Sequence, residues 1–208
     1  MTVFLDLDGT LTDPKEGIVG SITKALRTLE LPVPEDLTWA IGPPLVDSFE
    51  KLGAPDPLHA LEIYRADYGD GGLLRATVYP GIADALSRLT EHRTLFLATA
   101  KPHVYATQIT AHFDLDQFLT KQFGPELDGT RNDKGDLLRY ACDQLSLDPG
   151  LCVMVGDRAM DMAAARANRM PFIGVTWGYA RDAELEGADA LCTKPTDLAD
   201  LVLSLSAE

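Results

Sequence analysis

The sequence predicts an α/β fold in which a parallel sheet carries helices on both faces and an all-helical module interrupts the chain after the first strand. Short, nearly continuous apolar runs, typical of buried strands, occur at residues 3–5, 95–98, 151–155 and 172–175. Stretches with apolar residues at helical spacing lie between them. Because strands that alternate with helices are joined by right-handed crossovers, we expect the sheet to be parallel.

The helical module is predicted between residues 14 and 79, where we find no convincing buried strand. Turn residues mark its borders, Asp13-Pro14 on entry and Tyr79-Pro80-Gly81 on exit. We therefore expect a core domain of residues 1–14 and 79–208 and a helical domain of residues 15–78. The apolar residues at helical spacing in the module are Ile18, Ile22, Leu26 and Leu29, then Leu58, Leu61, Tyr64 and Tyr68.

Three helices are predicted in the core domain from the same spacing. Their apolar positions are Ile82, Leu86 and Leu89; Leu137, Leu138, Ala141 and Leu145; and Ala163, Ala164 and Ala167.

Composition excludes several classes of protein. The 208 residues carry a formal charge of -14 and no run of Lys or Arg, so nucleic acid and anionic membranes are poor partners. Three widely spaced cysteines and four scattered histidines disfavour a disulfide framework and a zinc site. Residues 1–6 hold too few apolar side chains for a signal peptide, and no apolar stretch approaches the roughly 20 residues that span a bilayer. We expect a cytoplasmic protein, and a monomer.

Two carboxylates follow the first predicted strand. Asp6 and Asp8 are two residues apart, so on extended backbone both project to one side, and Gly9 then lets the chain turn. Ligands of open α/β sheets bind at the carboxyl ends of strands, which is where this pair lies. A solvated turn or an Asx turn is an equally good interpretation of the pair alone. A calcium loop is not, because the positions that need Gly and Glu hold Leu11 and Gly17.

Two polar groups fall at later element ends. Thr99 and the amide of Ala100 follow the strand at 95–98 and can hydrogen-bond phosphoryl oxygens. Lys134 opens a helix, where a cation opposes the helix dipole, and a site that neutralises phosphate would explain its placement. Taken singly, Thr99 is better interpreted as a strand or capping residue, and Lys134 as a solvated lysine.

A second acidic pair follows the strand at 151–155. Asp157 and Asp161 are four residues apart at a helix start, so their carboxylates share one face. Helix capping is the alternative for Asp157, and it does not account for Asp161. Carboxylate oxygens clustered with those of Asp6 are the ligands that Mg²⁺ prefers.

These signals fall in chain order at one edge of one predicted sheet, and together they resemble the motifs of the haloacid dehalogenase superfamily. The similarity spans essentially the whole chain, and it implies a Rossmann-like core with an inserted helical cap. Several further segments resemble the phosphoglycolate-phosphatase-like branch, whose members are often described as 5′-nucleotidases. The motifs are Asp6-Leu7-Asp8-Gly9-Thr10, Thr99, Lys134, and Gly156-Asp157 with Asp161; the branch segments include Ala98-Thr99-Ala100-Lys101-Pro102, Leu127-Asp128-Gly129-Thr130-Arg131 and Trp177-Gly178-Tyr179. One departure is Ala167-Asn168-Arg169, where relatives usually carry Gly after the helix.

The resemblance implies a role for each residue. Asp6 would attack phosphorus and form an aspartyl-phosphate, and Asp8 would protonate the leaving oxygen and then activate water. The transferring phosphoryl group would be held by Gly9, Thr99, Ala100 and Lys134. Mg²⁺ would be held by Asp6, the backbone carbonyl of Asp8 and Asp157, with Asp161 binding it directly or steadying water and Lys134.

The substrate implied is a small phosphorylated metabolite, and a nucleoside monophosphate, phosphoglycolate or a sugar phosphate all fit. Gly42 and Pro43, in a loop of the helical module, are candidates for setting specificity. Two other classes stand against a phosphatase. A phospho-accepting receiver also combines an acidic cluster with Thr and Lys, but it lacks a second carboxylate such as Asp8. A catalytically silent binding module would not retain every motif.

Overall fold

The computed structural model describes residues 1–181 and 183–205, which form two compact units. The α/β unit contains residues 1–12 and the chain from residue 78 onward, and the helical unit contains residues 13–77. The elements in chain order are β1 (Thr2–Leu5), β2 (Thr12–Asp13), α1 (Lys15–Thr28), α2 (Leu45–Lys51), α3 (Pro57–Gly69), β3 (Thr77–Val78), α4 (Ile82–Thr90), β4 (Leu95–Ala98), α5 (His103–His112), β5 (Lys121–Phe123), α6 (Lys134–Leu145), β6 (Cys152–Gly156), α7 (Ala159–Ala167), β7 (Phe172–Val175), β8 (Ala190–Cys192) and α8 (Leu198–Ser204).

The α/β unit is built on a six-stranded sheet with strand order β5-β4-β1-β6-β7-β8, and every neighbouring pair is parallel. The predicted fold class is therefore confirmed. The four apolar runs became β1, β4, β6 and β7, although β6 begins at Cys152 because Leu151 closes a 3₁₀ turn. The edge strands β5 and β8 were not predicted, since each has three residues and only the last is fully buried.

Strand register brings distant segments to one edge of this sheet. Leu5 of β1 is aligned with Leu97 of β4 and with Val155 of β6. The chain adds β4 and β5 on one side of β1 and then crosses to add β6, β7 and β8 on the other. This reversal of direction is the topological switch point where parallel sheets bind ligands. Residues that directly follow β1, β4 and β6 must therefore lie close together.

Apolar packing holds the sheet between its helices. Every residue of β4, β6 and β7 is buried, as expected for strands covered on both faces. The Phe4 and Phe96 rings lie 5.5 Å apart between β1 and β4, inside a cluster that also includes residues of α6 and α7. Residues that precede the site are thus fixed by dense packing.

In the helical unit, α3 packs against α1 and α2. Asp56 caps α3 by accepting from the N–H groups of Leu58 and His59, and Pro57 occupies its first turn. Tyr64 and Tyr68 are buried and stacked with ring centroids 5.1 Å apart, whereas Leu58 is 64% exposed despite its helical spacing. A two-stranded sheet formed by β2 and β3 joins the connecting segments. In the described residues, we find no helix with the length and apolar content needed to cross a membrane.

Candidate active site

Asp6 and Asp8 lie in a buried turn at the end of β1. The Asp6 N–H donates to the Val155 carbonyl at 3.0 Å, which ties the turn to β6. Gly9 has φ 83°, and its N–H donates to the Thr12 carbonyl at 2.8 Å, so the chain reverses there. Asp6 is 7% exposed. The turn interpretation of this pair is thus correct for the backbone, but the carboxylates are not solvated.

Three carboxylates meet at this edge of the sheet. Asp6, Asp157 and Asp161 are buried, and one carboxylate oxygen from each lies within 4.8 Å of the others. Lys134 Nζ lies 2.8 Å from Asp6 Oδ1 and also forms an ion pair with Asp161. Lys134 is the first residue of α6, whose N-cap Asp133 accepts from the Asp136 N–H. The cation opposes the dipole of α6 but is compensated by two carboxylates.

Asp157 is held by a segment that sequence reasoning had not connected with the site. The Tyr179 N–H donates to Asp157 Oδ2 at 2.6 Å. A Cβ atom at Gly178 would lie 2.4 Å from the same oxygen, and one at Gly9 would lie 2.1 Å from it, so both positions require glycine. Asp157 Oδ1 is buried and has no hydrogen-bond partner among the described residues. The only signal for this role was that Gly178 and Tyr179 follow β7 at the same edge.

Asp161 caps α7, which corrects the sequence interpretation. The Arg158 N–H donates to Asp161 Oδ2 at 2.9 Å, and Arg158 is the N-cap residue. Capping was the alternative interpretation of Asp157 and was judged not to account for Asp161. Asp161 is the third residue after Arg158, the spacing at which a side chain reaches back to the N-cap amide. Asp161 therefore stabilises the helix start as well as facing Lys134.

Thr99 and Lys101 complete the edge at the end of β4. Thr99 is 1% exposed, and its hydroxyl accepts from the Lys101 N–H at 3.2 Å. The Lys101 ammonium lies 2.8 Å from Asp8 Oδ2. Lys101 lies in the same sequence segment as Thr99, and no contact of its side chain was predicted. Ala100, between them, is partly exposed.

The charges of this site do not cancel. Four carboxylates (Asp6, Asp8, Asp157 and Asp161) and two ammonium groups (Lys101 and Lys134) leave two negative charges in a buried region. Burial of uncompensated carboxylates is costly, so the arrangement needs a further cation or protons.

The pKa values show the same imbalance. Burial raises the pKa of the Asp157 carboxyl well above its usual range, and Asp161 and Asp6 add to the shift. Burial raises the pKa of Asp161 to about 6, although Lys134 opposes it. Burial also raises the pKa of Asp8 against the influence of Lys101. At Lys134, burial disfavours the ammonium, but Asp161 and Asp6 outweigh it and raise the pKa. A site that favours protonated carboxyls in this way is suited to a metal ion.

These residues fit a divalent metal. The excess charge equals that of one divalent cation, and the donors are hard carboxylate oxygens of the kind that Mg²⁺ prefers. Asp157 Oδ1, buried without a hydrogen-bond partner in the described chain, is a donor that a metal would satisfy. The Asp8 carboxylate is not part of the three-carboxylate group, because it faces Lys101.

The two specificity candidates lie in the helical unit. Gly42, with φ 105°, and Pro43 join a 3₁₀ turn at Thr38–Ala40 to α2. Both are partly exposed, so they form an interhelical turn with accessible surface.

This chain is similar to known proteins along most of its length. A model described as haloacid dehalogenase-like hydrolase matches residues 1–168. A 5′-nucleotidase of Pseudomonas aeruginosa is 39% identical over 189 residues, which cover 88% of this chain and 86% of that protein. Tyrosine-protein kinase PtkA of Mycobacterium tuberculosis is 39% identical over 183 residues, covering 86% of this chain and 63% of that protein. The crystal structure of a predicted phosphatase from Clostridium acetobutylicum superposes with a TM-score of 0.92 at 36% identity, covering 98% of each chain.

Proposed function

The chain belongs to the haloacid dehalogenase-like hydrolases and is a phosphatase of that family, and we propose that it hydrolyses small phosphomonoesters through an aspartyl-phosphate on Asp6. The observation that carries the proposal is the buried group of Asp6, Asp157 and Asp161 with Lys134 between two of them. A nucleophile, a cation and a metal-binding group then lie at one strand edge, as phosphoryl transfer requires.

Asp6 is the proposed nucleophile because it directly follows the central strand and its carboxylate lies against Lys134. Asp8, two residues on, is the proposed acid and base. The Thr99 hydroxyl and the Ala100 amide, at the end of the neighbouring strand, are proposed to bind the transferring oxygens together with Gly9 and Lys134.

Asp6, Asp157 and the backbone carbonyl of Asp8 would hold Mg²⁺, with Asp161 beside them. When bound, the cation would neutralise charge on the phosphoryl group. Lys134, which pairs with Asp6 Oδ1, supplies a second positive charge beside the Asp6 carboxylate. Asp161 holds Lys134 in place through its own ion pair.

Nucleoside 5′-monophosphates are the proposed substrates, and the likeness to a 5′-nucleotidase supports this choice. Phosphoglycolate and sugar phosphates are the alternatives, with Gly42 and Pro43 proposed to take part in the selection. The ratio of kcat/KM between a nucleoside monophosphate and phosphoglycolate decides between them.

A test of the mechanism compares two Asp→Asn variants in the Mg²⁺-dependent release of phosphate from p-nitrophenyl phosphate. Asp6→Asn should abolish turnover, whereas Asp84→Asn, a matched change at an exposed residue of α4, should leave it intact. Robust turnover by Asp6→Asn, or full wild-type activity with excess chelator, would overturn the mechanism.

A second candidate is phosphoryl transfer to a hydroxyl other than that of water. The likeness to a protein named tyrosine-protein kinase PtkA favours it, although this chain spans only 63% of that protein. Two assays separate the functions. Label that passes from γ-labelled ATP to a tyrosine peptide indicates transfer, whereas release of phosphate from a nucleoside monophosphate with no label in the peptide indicates hydrolysis.

A further inference from the structure

Lys101 is a buried lysine that none of the roles above uses. It is 8% exposed, and its Nζ lies 2.8 Å from Asp8 Oδ2, while the Asp8 side chain itself is only 12% exposed. Burying an ammonium is costly unless a carboxylate compensates it, so this pair is a defined contact and not a solvated surface pair.

The backbone around Lys101 is held firmly. Its N–H donates to the Thr99 hydroxyl, and the following His103 N–H donates to the Pro125 carbonyl at 2.8 Å. A Cβ atom at Gly124 would lie 2.6 Å from the Lys101 carbonyl oxygen, so the two backbones are in close contact. The Lys101 side chain therefore extends from a backbone whose position is fixed by these contacts.

The contact distinguishes the two oxygens of Asp8. Oδ2 faces Lys101, whereas Oδ1 is buried and has no hydrogen-bond partner among the described residues. Lys134 pairs with Asp6 and Asp161 instead. Each lysine thus serves a different set of carboxylates, and their effects can be measured separately.

We propose that Lys101 is a positioning residue that holds Asp8 through Oδ2, so that Oδ1 is the oxygen that exchanges a proton with the leaving group. This inference rests on the proposed function. In the first half-reaction an Asp6 oxygen bonds to phosphorus, the bond from phosphorus to the ester oxygen breaks, and the Asp8 carboxyl gives its proton to that oxygen to form the alcohol. In the second, water attacks the phosphorus, its proton passes to the Asp8 carboxylate, and the Asp6 carboxylate leaves, which releases inorganic phosphate.

The leaving group provides the test. An alkoxide needs the proton from Asp8, whereas p-nitrophenolate leaves readily without one. In single-turnover assays with Mg²⁺, Lys101→Met should slow alcohol release from the alkyl phosphomonoester that the wild type hydrolyses fastest by about 100-fold. Release of p-nitrophenol should slow by less than about 10-fold, and Asp8→Asn should show the same selectivity.

Two controls accompany this variant. Lys134→Met should slow both substrates alike, because its charge serves Asp6 and not the leaving group. Lys121→Met, at an exposed lysine of β5, should change neither.

Equal losses on both substrates in Lys101→Met, or no loss, would overturn the positioning role. If that variant does not fold, Lys101→Arg is measured instead. This variant retains a cation, so the ratio of the rate of alcohol release to the rate of p-nitrophenol release should stay within about 10-fold of the wild-type ratio. A larger change in that ratio would count against the positioning role. A wild-type protein that releases no phosphate from either ester refutes the proposed function instead, so the two failures are distinguishable.

Discussion

Replacing Gly178 with alanine tests whether the segment after β7 positions Asp157 in the proposed metal site. The added Cβ atom would lie 2.3 Å from the Gly9 carbonyl oxygen and 2.4 Å from Asp157 Oδ2. Since such contacts are normally about 3.5 Å, the Asp157 carboxylate or the Gly9 backbone must move by about 1 Å. We expect the Asp157 carboxylate to move, because the Gly9 backbone lies in a hydrogen-bonded turn.

The expected effect is a loss of metal affinity together with a loss of folding stability. Displacing a residue that orients a metal ligand weakens binding by about 10- to 100-fold, equivalent to about 1.4 to 2.7 kcal/mol. Overpacking itself costs about 1 to 3 kcal/mol of folding stability. Isothermal titration with Mg²⁺ measures the first quantity, and urea unfolding with chelator present measures the second.

Gly20→Ala is the matched control for this change. Gly20 lies inside α1, and a Cβ atom there would lie 3.7 Å from Arg75 Nη2, which is an ordinary contact. We expect unchanged Mg²⁺ affinity and a gain of up to about 1 kcal/mol in stability, since alanine favours a helix. A Gly178→Ala protein that binds Mg²⁺ within twofold of the wild type would refute the proposed link between this segment and the metal.

Three further predictions concern charge, pH and backbone strain. Lys134→Met leaves Asp6 and Asp161 without their cation. We expect kcat to fall by about 100-fold or more and the metal-free protein to lose about 3 kcal/mol of folding stability. A fall in kcat of less than about tenfold would contradict this prediction. Burial raises the pKa values of Asp157 and Asp161, that of Asp161 to about 6. Both groups therefore stabilise the metal-free fold fully below the pKa that they have in the unfolded chain, and this stabilisation is lost as the pH rises through their pKa values in the folded protein. The increase in melting temperature caused by Mg²⁺ should therefore grow between about pH 5 and about pH 7.5, and a constant increase would be evidence against the carboxylate group as the metal site. Arg169 has φ 56°, and its N–H and that of Met170 donate to the carbonyls of Arg166 and Ala165, which is a Schellman motif. Arg169→Gly should raise stability by about 1 kcal/mol in urea unfolding, and an unchanged midpoint would show that the left-handed conformation costs nothing there.

The segment Ala167-Asn168-Arg169, which lacks the glycine that relatives usually carry after the helix, shows what residue propensity can and cannot predict. A missing glycine after α7 was visible in the sequence, and the helix still ends in the left-handed conformation, with Arg169 in place of glycine. Propensity predicts which residue suits that position best. It does not predict whether the surrounding structure will impose the conformation on another residue.

The edge strands were missed for a related reason. Lys121–Phe123 and Ala190–Cys192 are too short for a periodic pattern, and each is paired on one side only. Their conformation comes from pairing with β4 and β7, which are distant in sequence.

What the sequence determined by itself was local: buried strands from apolar runs, helices from their spacing, and the identity of Asp6, Thr99, Lys134 and Asp157 at the ends of elements. These features depend on residues that are neighbours along the chain, so composition and periodicity are enough to predict them.

Only the tertiary structure decided which groups meet. Asp8 faces Lys101, Lys134 faces Asp6 and Asp161, and Asp157 is held by Tyr179. These contacts join positions that lie between 22 residues (Asp157 and Tyr179) and 128 residues (Asp6 and Lys134) apart along the chain. They follow from the register of β1 with β4 and β6, which is set by packing across the whole sheet and by no single segment.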